Sequence, residues 1–431
     1  MQNFEQKYDV LIAGTGVAGL CCALHLPGDM RVLMLTKSTA EESDSFLAQG
    51  GICMLRGQED FAGYFEDTMR AGHYENDEGA VRQMIAESPS MIEELIAEGV
   101  RFARDEKGSL RFTREGGHSR PRILFHDDVT GKEITSTLLA KVRTLPNVRI
   151  AENCTLVDLL CEENECFGGV VRDDAGCLHA VYADFTLLAT GGVGGLFRNS
   201  TNYPHLTGDA LAMALRHGVA VEHLDYVQIH PTTLYSARKG RRFLVSESVR
   251  GEGAVLLDKR GNRFCNELMP RDIVTGDIRV QMQKDGTDHV WLDMRPVGEK
   301  TLREHFPTIC AQCIEEGYDP FGAPIPVVPA QHYFMGGIKV DLDAKTSMSR
   351  LFAAGETACN GVHGKNRLAS NSLLESLVWA RRAAAVMTKN RENGIRRRPS
   401  ADFSRYEDGE MLQKEYAKLV REEAEREAYH D

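Results

Sequence analysis

The chain has 431 residues, 42% of them hydrophobic, enough to bury a large core and to divide into two domains. A formal net charge of -12 excludes the broad basic surface that nucleic acids select, so any anion site must be local. Eleven cysteines, unevenly spaced and odd in number, exclude a secreted-type disulfide framework.

No apolar run reaches the ~18 residues needed to cross a bilayer, and residues 10–13 are too short for the core of a signal peptide. The expectation is a soluble cytoplasmic protein with no membrane partner. Cys310 and Cys313 form a C-x-x-C. No second cysteine pair of matching spacing completes a metal site, so they read as one helix face over residues 309–316 and no metal is expected.

In chain order, residues 8–13 read as an apolar strand, 14–19 as a glycine loop, 20–26 as a helix and 31–36 as a second strand. Together they form a β-α-β unit. Helical patterning follows at 78–98 and 135–145, then a strand at 148–151. Strands at 157–160, 166–172 and 179–183 make a small meander that ends in another strand, 186–190. From about residue 224 to 333 the texture changes, with Pro320, Pro324, Pro326 and Pro329, a hairpin at 254–264 and short helices. Strands return at 337–341 and 351–354.

The expected architecture is α/β, with α+β character in the middle region. A Rossmann-like domain is made of two pieces, 1–223 and 334–389, around an inserted capping domain, 224–333. Residues 390–431 read as a charged, solvated helical tail.

Two segments carry the chemistry. Gly14, Thr15, Gly16, Val17, Ala18 and Gly19 give G-x-G-x-x-G between a strand and a helix, the context in which glycines admit a pyrophosphate to a helix N-terminus. The acidic residue usual after the second strand is absent, and Thr36 and Lys37 stand there. The second segment, residues 363–375, is a polar loop holding Arg367 that enters a helix through Ser370, Asn371, Ser372 and Leu373. By itself it implies only an anion or an electron-rich ligand.

Thr190 with Gly191, and Gly355 with Glu356, each end an apolar strand. These segments with the first glycine loop, and the run Ser45, Phe46, Leu47, Ala48, Gln49, Gly50, Gly51, resemble the two-domain flavoproteins that include fumarate reductase, succinate dehydrogenase and L-aspartate oxidase. The resemblance extends through residue 385 and implies FAD as cofactor. It places Lys37, Asp209, Asn371, Ser372 and Leu373 around FAD with the glycine loops. The membrane-bound members carry FAD covalently on a histidine before this alanine. Here Asp44, Ser45 and Phe46 occupy that stretch, which implies noncovalent FAD.

The same resemblance implies a four-carbon dicarboxylate site. It assigns Arg367 and His332 to one carboxylate, His230 and Ser246 to the other end, and Arg271 to proton transfer with Glu247 and Arg250 as its relay. Arginine is an unusual acid or base because its pKa lies far above neutrality, so this role rests on the resemblance alone. Thr113, Arg114, Glu115, Gly116, Gly117 and His118 point within the family to the aspartate-oxidising branch, with Glu115 beside the substrate's amino group. That branch implies oxidation of L-aspartate to iminoaspartate, with oxygen or fumarate as acceptor and a link to quinolinate synthase in NAD biosynthesis. A soluble fumarate reductase, a succinate dehydrogenase-type subunit and a noncatalytic flavin-binding protein stay open as alternatives. The resemblance also implies a C-terminal three-helix domain, of which this chain has about one helix.

Overall fold

A computed structural model describes residues 4, 6–236, 240–395 and 397–428. The strand Tyr8–Ala13 lies at the centre of a seven-stranded sheet, parallel to Val32–Leu35 on one side and to Leu178–Leu188 on the other. Val148–Ala151 extends the sheet beyond Val32–Leu35, and Leu351–Ala353 also pairs parallel with Leu178–Leu188. A strand bonded on both edges and covered on both faces must be apolar throughout, and Val10 to Ala13 are all buried.

Leu178–Leu188 serves two sheets. Its first half pairs antiparallel with Glu165–Arg172, which pairs in turn with Thr155–Glu162. Its second half joins the parallel sheet. The expected strands at 179–183 and 186–190 are therefore one strand. Asp184 does not interrupt it, because its buried carboxylate is held by Lys7, at 2.6 Å, and by the Ile395 amide.

The first helix is Val17–His25, with Gly16 as its N-cap residue, so it starts earlier than the expected residue 20. Gly19 is thus a helix residue, and a Cβ on it would lie 2.1 Å from the Gly14 carbonyl oxygen. Its smallness lets the helix sit against the strand. Similarly, the helix expected at 135–145 runs Thr130–Val142. Gln58–Ala71 is a helix without a counterpart in the sequence reading, its apolar face interrupted by buried Asp60 and Asp67.

The middle region has its own four-stranded antiparallel sheet, in the order Val227–Leu234, Ile325–Phe334, Val290–Asp293, Val255–Leu257. Its separate apolar core includes Val249, Leu256, Ile278, Leu292 and Phe306. Only the first arm of the expected 254–264 hairpin is a regular strand. After it Asp258 accepts the Arg260 and Asn262 amides, and the return arm makes a single bridge from Arg263 to Leu257. Pro231 sits where the register of Val227–Leu234 against Ile325–Phe334 shifts, a position at which no ladder N–H is required.

The charged tail is a docked helix and not the solvated one expected. Gly409–Ala428 packs on Asp209–Arg216 with Leu412, Tyr416 and Val420 buried at a spacing of four. The Tyr416 hydroxyl donates to the Val157 carbonyl and accepts from Arg216, at 2.8 and 2.7 Å. Among the described residues no helix is long and apolar enough to cross a membrane.

Docking of this helix predicts that Leu412→Ala lowers unfolding stability by about 2–3 kcal/mol in urea titration, while exposed Lys418→Ala stays within ~0.5 kcal/mol. Equal, near-zero effects would mean that the helix contributes no packing.

Candidate active site

One cleft runs between the parallel sheet and the middle region, lined from Gly14 to Gly16 at one end to Arg271, His332 and Arg367 at the other. At one end, Gly14 has φ +119°, and a Cβ there would lie 1.9 Å from the Ala189 carbonyl oxygen. Only glycine lets the two strand ends approach this closely. The amides of the Val17–His25 N-terminus face the cleft with no side chain of Gly16 to cap them, and the Ser45 hydroxyl meets the Val17 amide at 3.1 Å.

Lys37 forms a 2.6 Å ion pair with Asp209 and bonds Thr207 at 3.1 Å, so the position without the expected acid is supplied with one from another element. A Cβ on Gly51 would lie 2.2 Å from the Leu124 carbonyl oxygen, so no side chain fits there. Buried Gln49 Oε1, Asp44 Oδ2 and Ser43 Oγ have no protein partner. A glycine cradle, bare helix amides and unpartnered polar atoms along one long cleft fit a dinucleotide such as FAD.

Burial raises the carboxyls that border this end. Glu356 is pushed up to about 8 by burial and then by Asp44, and Asp44 up to about 7 by burial. Glu356 accepts the Phe334 amide at 2.9 Å.

The other end is polar and strongly cationic. Arg271 is the first residue of the helix Arg271–Asp285, where its side chain reaches across to Glu247 Oε2 at 2.6 Å. Its second contact, 2.7 Å, is Gln228 Oε1. Arg367 Nε approaches the same oxygen at 3.4 Å, its Nη1 bonds the Ser372 hydroxyl at 2.6 Å, and its guanidinium lies 4.3 Å from the Tyr333 ring centre. Burial, and then Arg271, pull the Arg367 pKa down to about 10. Burial alone would raise Glu247, but Arg271 and Arg250 outweigh it and hold the carboxyl below its usual range.

His230 and His332 stand edge to face with ring centres 5.1 Å apart. Burial first, and Arg271 next, push both well below the usual histidine value, so both rings are neutral. His230 Nδ1 lies 3.2 Å from the Thr232 amide and 3.1 Å from the Thr232 carbonyl, and its Nε2 has no partner in the protein. His332 Nδ1 is engaged with Thr201 at 2.8 Å.

Glu115 sits between the two ends. Its Oε1 accepts the Ser248 hydroxyl at 2.7 Å and its Oε2 the Ser370 hydroxyl at 2.6 Å. The loop that carries it is pinned by buried Arg122, which bonds Asp60, Asp67 and His118, while His118 Nε2 reaches the Ala369 carbonyl at 3.0 Å. A Cβ on the next residue, Gly116, would lie 2.1 Å from Glu247 Oε1. The two acidic groups therefore share one wall.

Most of the residues singled out from the sequence line this cleft: Gly14 to Ala18, Lys37, Ser45, Ala48 to Gly51, Glu115, Thr190, Gly191, Asp209, His230, Ser246, Glu247, Arg271, His332, Gly355, Glu356, Arg367, Ser372 and Leu373. Three do not. Gly19 packs helix to strand. Asn371 is fully buried, its side chain held by Tyr64 at 2.7 Å and Thr68 at 3.3 Å. Arg250 lies behind Glu247 at 3.9 Å and donates to the Glu267 carbonyl.

Gln228 was missed by sequence reading although it joins Arg271 to Arg367. Its signal was the alternation Gln228, His230, Thr232 along one strand, which puts a buried polar face on the capping sheet. Cys310 and Cys313 lie buried in the helix Pro307–Glu315, and among the described residues no group of three or more His, Cys, Asp or Glu is arranged to hold a metal.

The sequence profile of the FAD binding domain family matches residues 9–373. An L-aspartate oxidase of Clostridium perfringens is 48% identical over 92% of this chain and 91% of its own length. The L-aspartate oxidase of Streptomyces coelicolor is 43% identical over 88% of this chain and 68% of its own. Among solved structures, a quinol-fumarate reductase with menaquinol molecules superimposes with a TM-score of 0.85 at 31% identity, over 98% of this chain and 76% of that one. With a glycine cradle, a cationic end and relatives of this closeness, the chain belongs to the L-aspartate oxidase family, within the FAD-binding flavoproteins of the fumarate reductase type.

Proposed function

We propose that this chain oxidises L-aspartate to iminoaspartate, with noncovalent FAD as cofactor and oxygen or fumarate as final acceptor. The observation that carries the reading is Glu115. It is a carboxylate fixed by two hydroxyls in the wall of a cleft whose far end is cationic, so one site offers an anion for an ammonium and a guanidinium with polar neighbours for the carboxylates.

FAD, bound along the glycine cradle, supplies the two-electron acceptor for the hydride of the substrate Cα–H bond. The residues of this chain hold the substrate. Arg367 takes one carboxylate bidentately, with His332 beside it, and His230 and Ser246 meet the other. Glu115 pairs with the ammonium, which gives one proton to solvent before the Cα–H hydride leaves and a second as the iminium becomes the imine. Arg271 caps the reacting carbon from the side of the middle region, and Glu247 with Arg250 behind it keeps that guanidinium in place. Orientation and the removal of water supply the rate.

Noncovalent attachment rests on the residues before Ala48. Asp44, whose Oδ1 accepts the Tyr203 amide at 3.0 Å, stands in the stretch where the covalent members carry histidine. Acid precipitation should release the yellow colour into the supernatant, and colour retained in the pellet contradicts this. The imine is an electrophile that hydrolyses in water, which favours prompt use by a condensing enzyme such as quinolinate synthase. Fumarate, a dicarboxylate without an ammonium, fits the same two ends and so serves as acceptor.

Anaerobic mixing with L-aspartate should bleach the flavin band, and an unchanged band would refute the reading. Arg271→Leu should lose that bleaching by at least ~100-fold while FAD stays bound. Arg367→Leu should raise the aspartate KM by about 100-fold, the cost of a lost bidentate charge pair, again with FAD retained. Loss of FAD in the same variant would show that Arg367 belongs to the cofactor and not to the substrate.

The histidines make a pH prediction. His230 and His332 titrate well below their unfolded value of 6.5, and His363 at about 3. The unfolded chain thus binds more protons than the folded one below pH 6.5, so these groups favour folding above that pH and the benefit is lost as the pH falls. kcat/KM for aspartate should show no histidine limb between pH 6 and 8, while urea stability declines below pH 6.5. A limb near 6.5 that disappears in His332→Gln would show a protonated histidine at work.

A further inference from the structure

Ser248 lies outside the cleft, on the far side of Glu115. It is the second residue of the short helix Glu247–Gly251, whose N-cap Ser246 accepts the Ser248 amide at 3.3 Å. The Ser246 hydroxyl in turn donates to Ser248 Oγ at 3.2 Å. Ser248 then donates to Glu115 Oε1 at 2.7 Å, and three residues, Ser246, Ser248 and Glu115, form one directed chain.

We propose that Ser248 is a positioning residue that sets substrate specificity, holding the Glu115 carboxylate in the orientation that accepts the substrate ammonium. The inference rests on the reading of Glu115 as the ammonium partner. A carboxylate has four lone-pair sites on two oxygens. Ser370 occupies one on Oε2 and is itself fixed, since its Oγ accepts the Gly51 amide at 3.1 Å. One bond leaves the carboxylate free to rotate about its terminal torsion, which is broad and shallow for glutamate. The second bond, from Ser248 on the opposite oxygen, fixes that plane and leaves one lone pair of each oxygen for the ligand.

Ser248 is coupled to the substrate end by Ser246. A hydroxyl has one proton, so when a substrate carboxylate takes the Ser246 proton, Ser248 loses a donor to its oxygen but keeps its own bond to Glu115. The device therefore acts on a ligand that has an ammonium and has no purchase on one that lacks it.

The test uses the FAD-loaded full chain. Ser248→Ala should raise the KM for L-aspartate about tenfold, the effect of one lost hydrogen bond to a charged group, with kcat changed less than about twofold. The inhibition constant of succinate, which has both carboxylates and no ammonium, should stay within about twofold, and Ser248→Thr should restore the aspartate KM. Equal weakening of aspartate and succinate, or no change in either, overturns the proposal. Glu115→Gln separates the two levels. If it fails to discriminate aspartate from succinate, the ammonium reading falls and the proposal with it; if it discriminates and Ser248→Ala does not, the proposal alone falls.

Discussion

Two guanidiniums that converge on one carbonyl oxygen determine what this cleft can bind. Gln228 Oε1 meets Arg271 at 2.7 Å and Arg367 at 3.4 Å, deep in the protein. Cations this close repel, and the effect appears in Arg367, whose pKa falls to about 10 through burial and Arg271. An unpaired buried charge is expensive, and a buried one that is paired on one side remains open to an anion on the other. Glu247 answers Arg271 directly, whereas among the described residues the hydrogen-bond partners of Arg367 are neutral, the Ser372 hydroxyl and Gln228, with the Tyr333 ring beside it and the Glu356 and Glu115 charges acting from further off. On the proposed function a substrate carboxylate is the counter-charge that Arg367 takes, so affinity and the electrostatics of this frame are one problem.

The fold supplies that frame from two sources. Gln228 and His230 come from one edge strand of the capping sheet, His332 from its neighbour, and Arg271 from the helix laid across it. Arg367, Ser370 and Ser372 come from the loop that enters the helix Ser372–Lys389 on the other domain. The Arg367 to Ser372 bond ties the substrate end to the residues that border the cofactor end. Along this cleft Gly14 and Gly51 have no alternative, because a Cβ at either would collide with the carbonyl oxygen of Ala189 or of Leu124.

Much of this was legible in the sequence, and the reasons for the rest are physical. Apolar runs between glycines mark buried parallel strands, so Tyr8–Ala13 and Val148–Ala151 could be read to the residue. The Arg367 loop was legible as an anion site from its own residues, whereas Arg271 and Glu115 were legible only through the resemblance to the flavoprotein family. Gln228 was not legible, since a neutral amide in an apolar strand looks the same whether it bonds backbone or an active-site arginine. Gly19 and Asn371 were assigned to the cofactor because a motif does not separate residues that touch a ligand from those that support the ones that do. The tail helix was taken for a solvated one because its charge dominates its composition, while the burial of Leu412, Tyr416 and Val420 depends on a partner helix about 200 residues earlier.

The claim that a buried cation without a bonded counter-charge selects the ligand can be measured without turnover, by the unfolding temperature of the FAD-loaded protein in succinate and in succinamide at equal concentration and ionic strength. The two share one carbon skeleton and differ in that neutral amides replace both carboxylates. Succinate should raise the unfolding temperature in a concentration-dependent way, as a ligand bound to the folded state must, and succinamide should leave it unchanged. Equal protection by both, or by neither, would contradict the account.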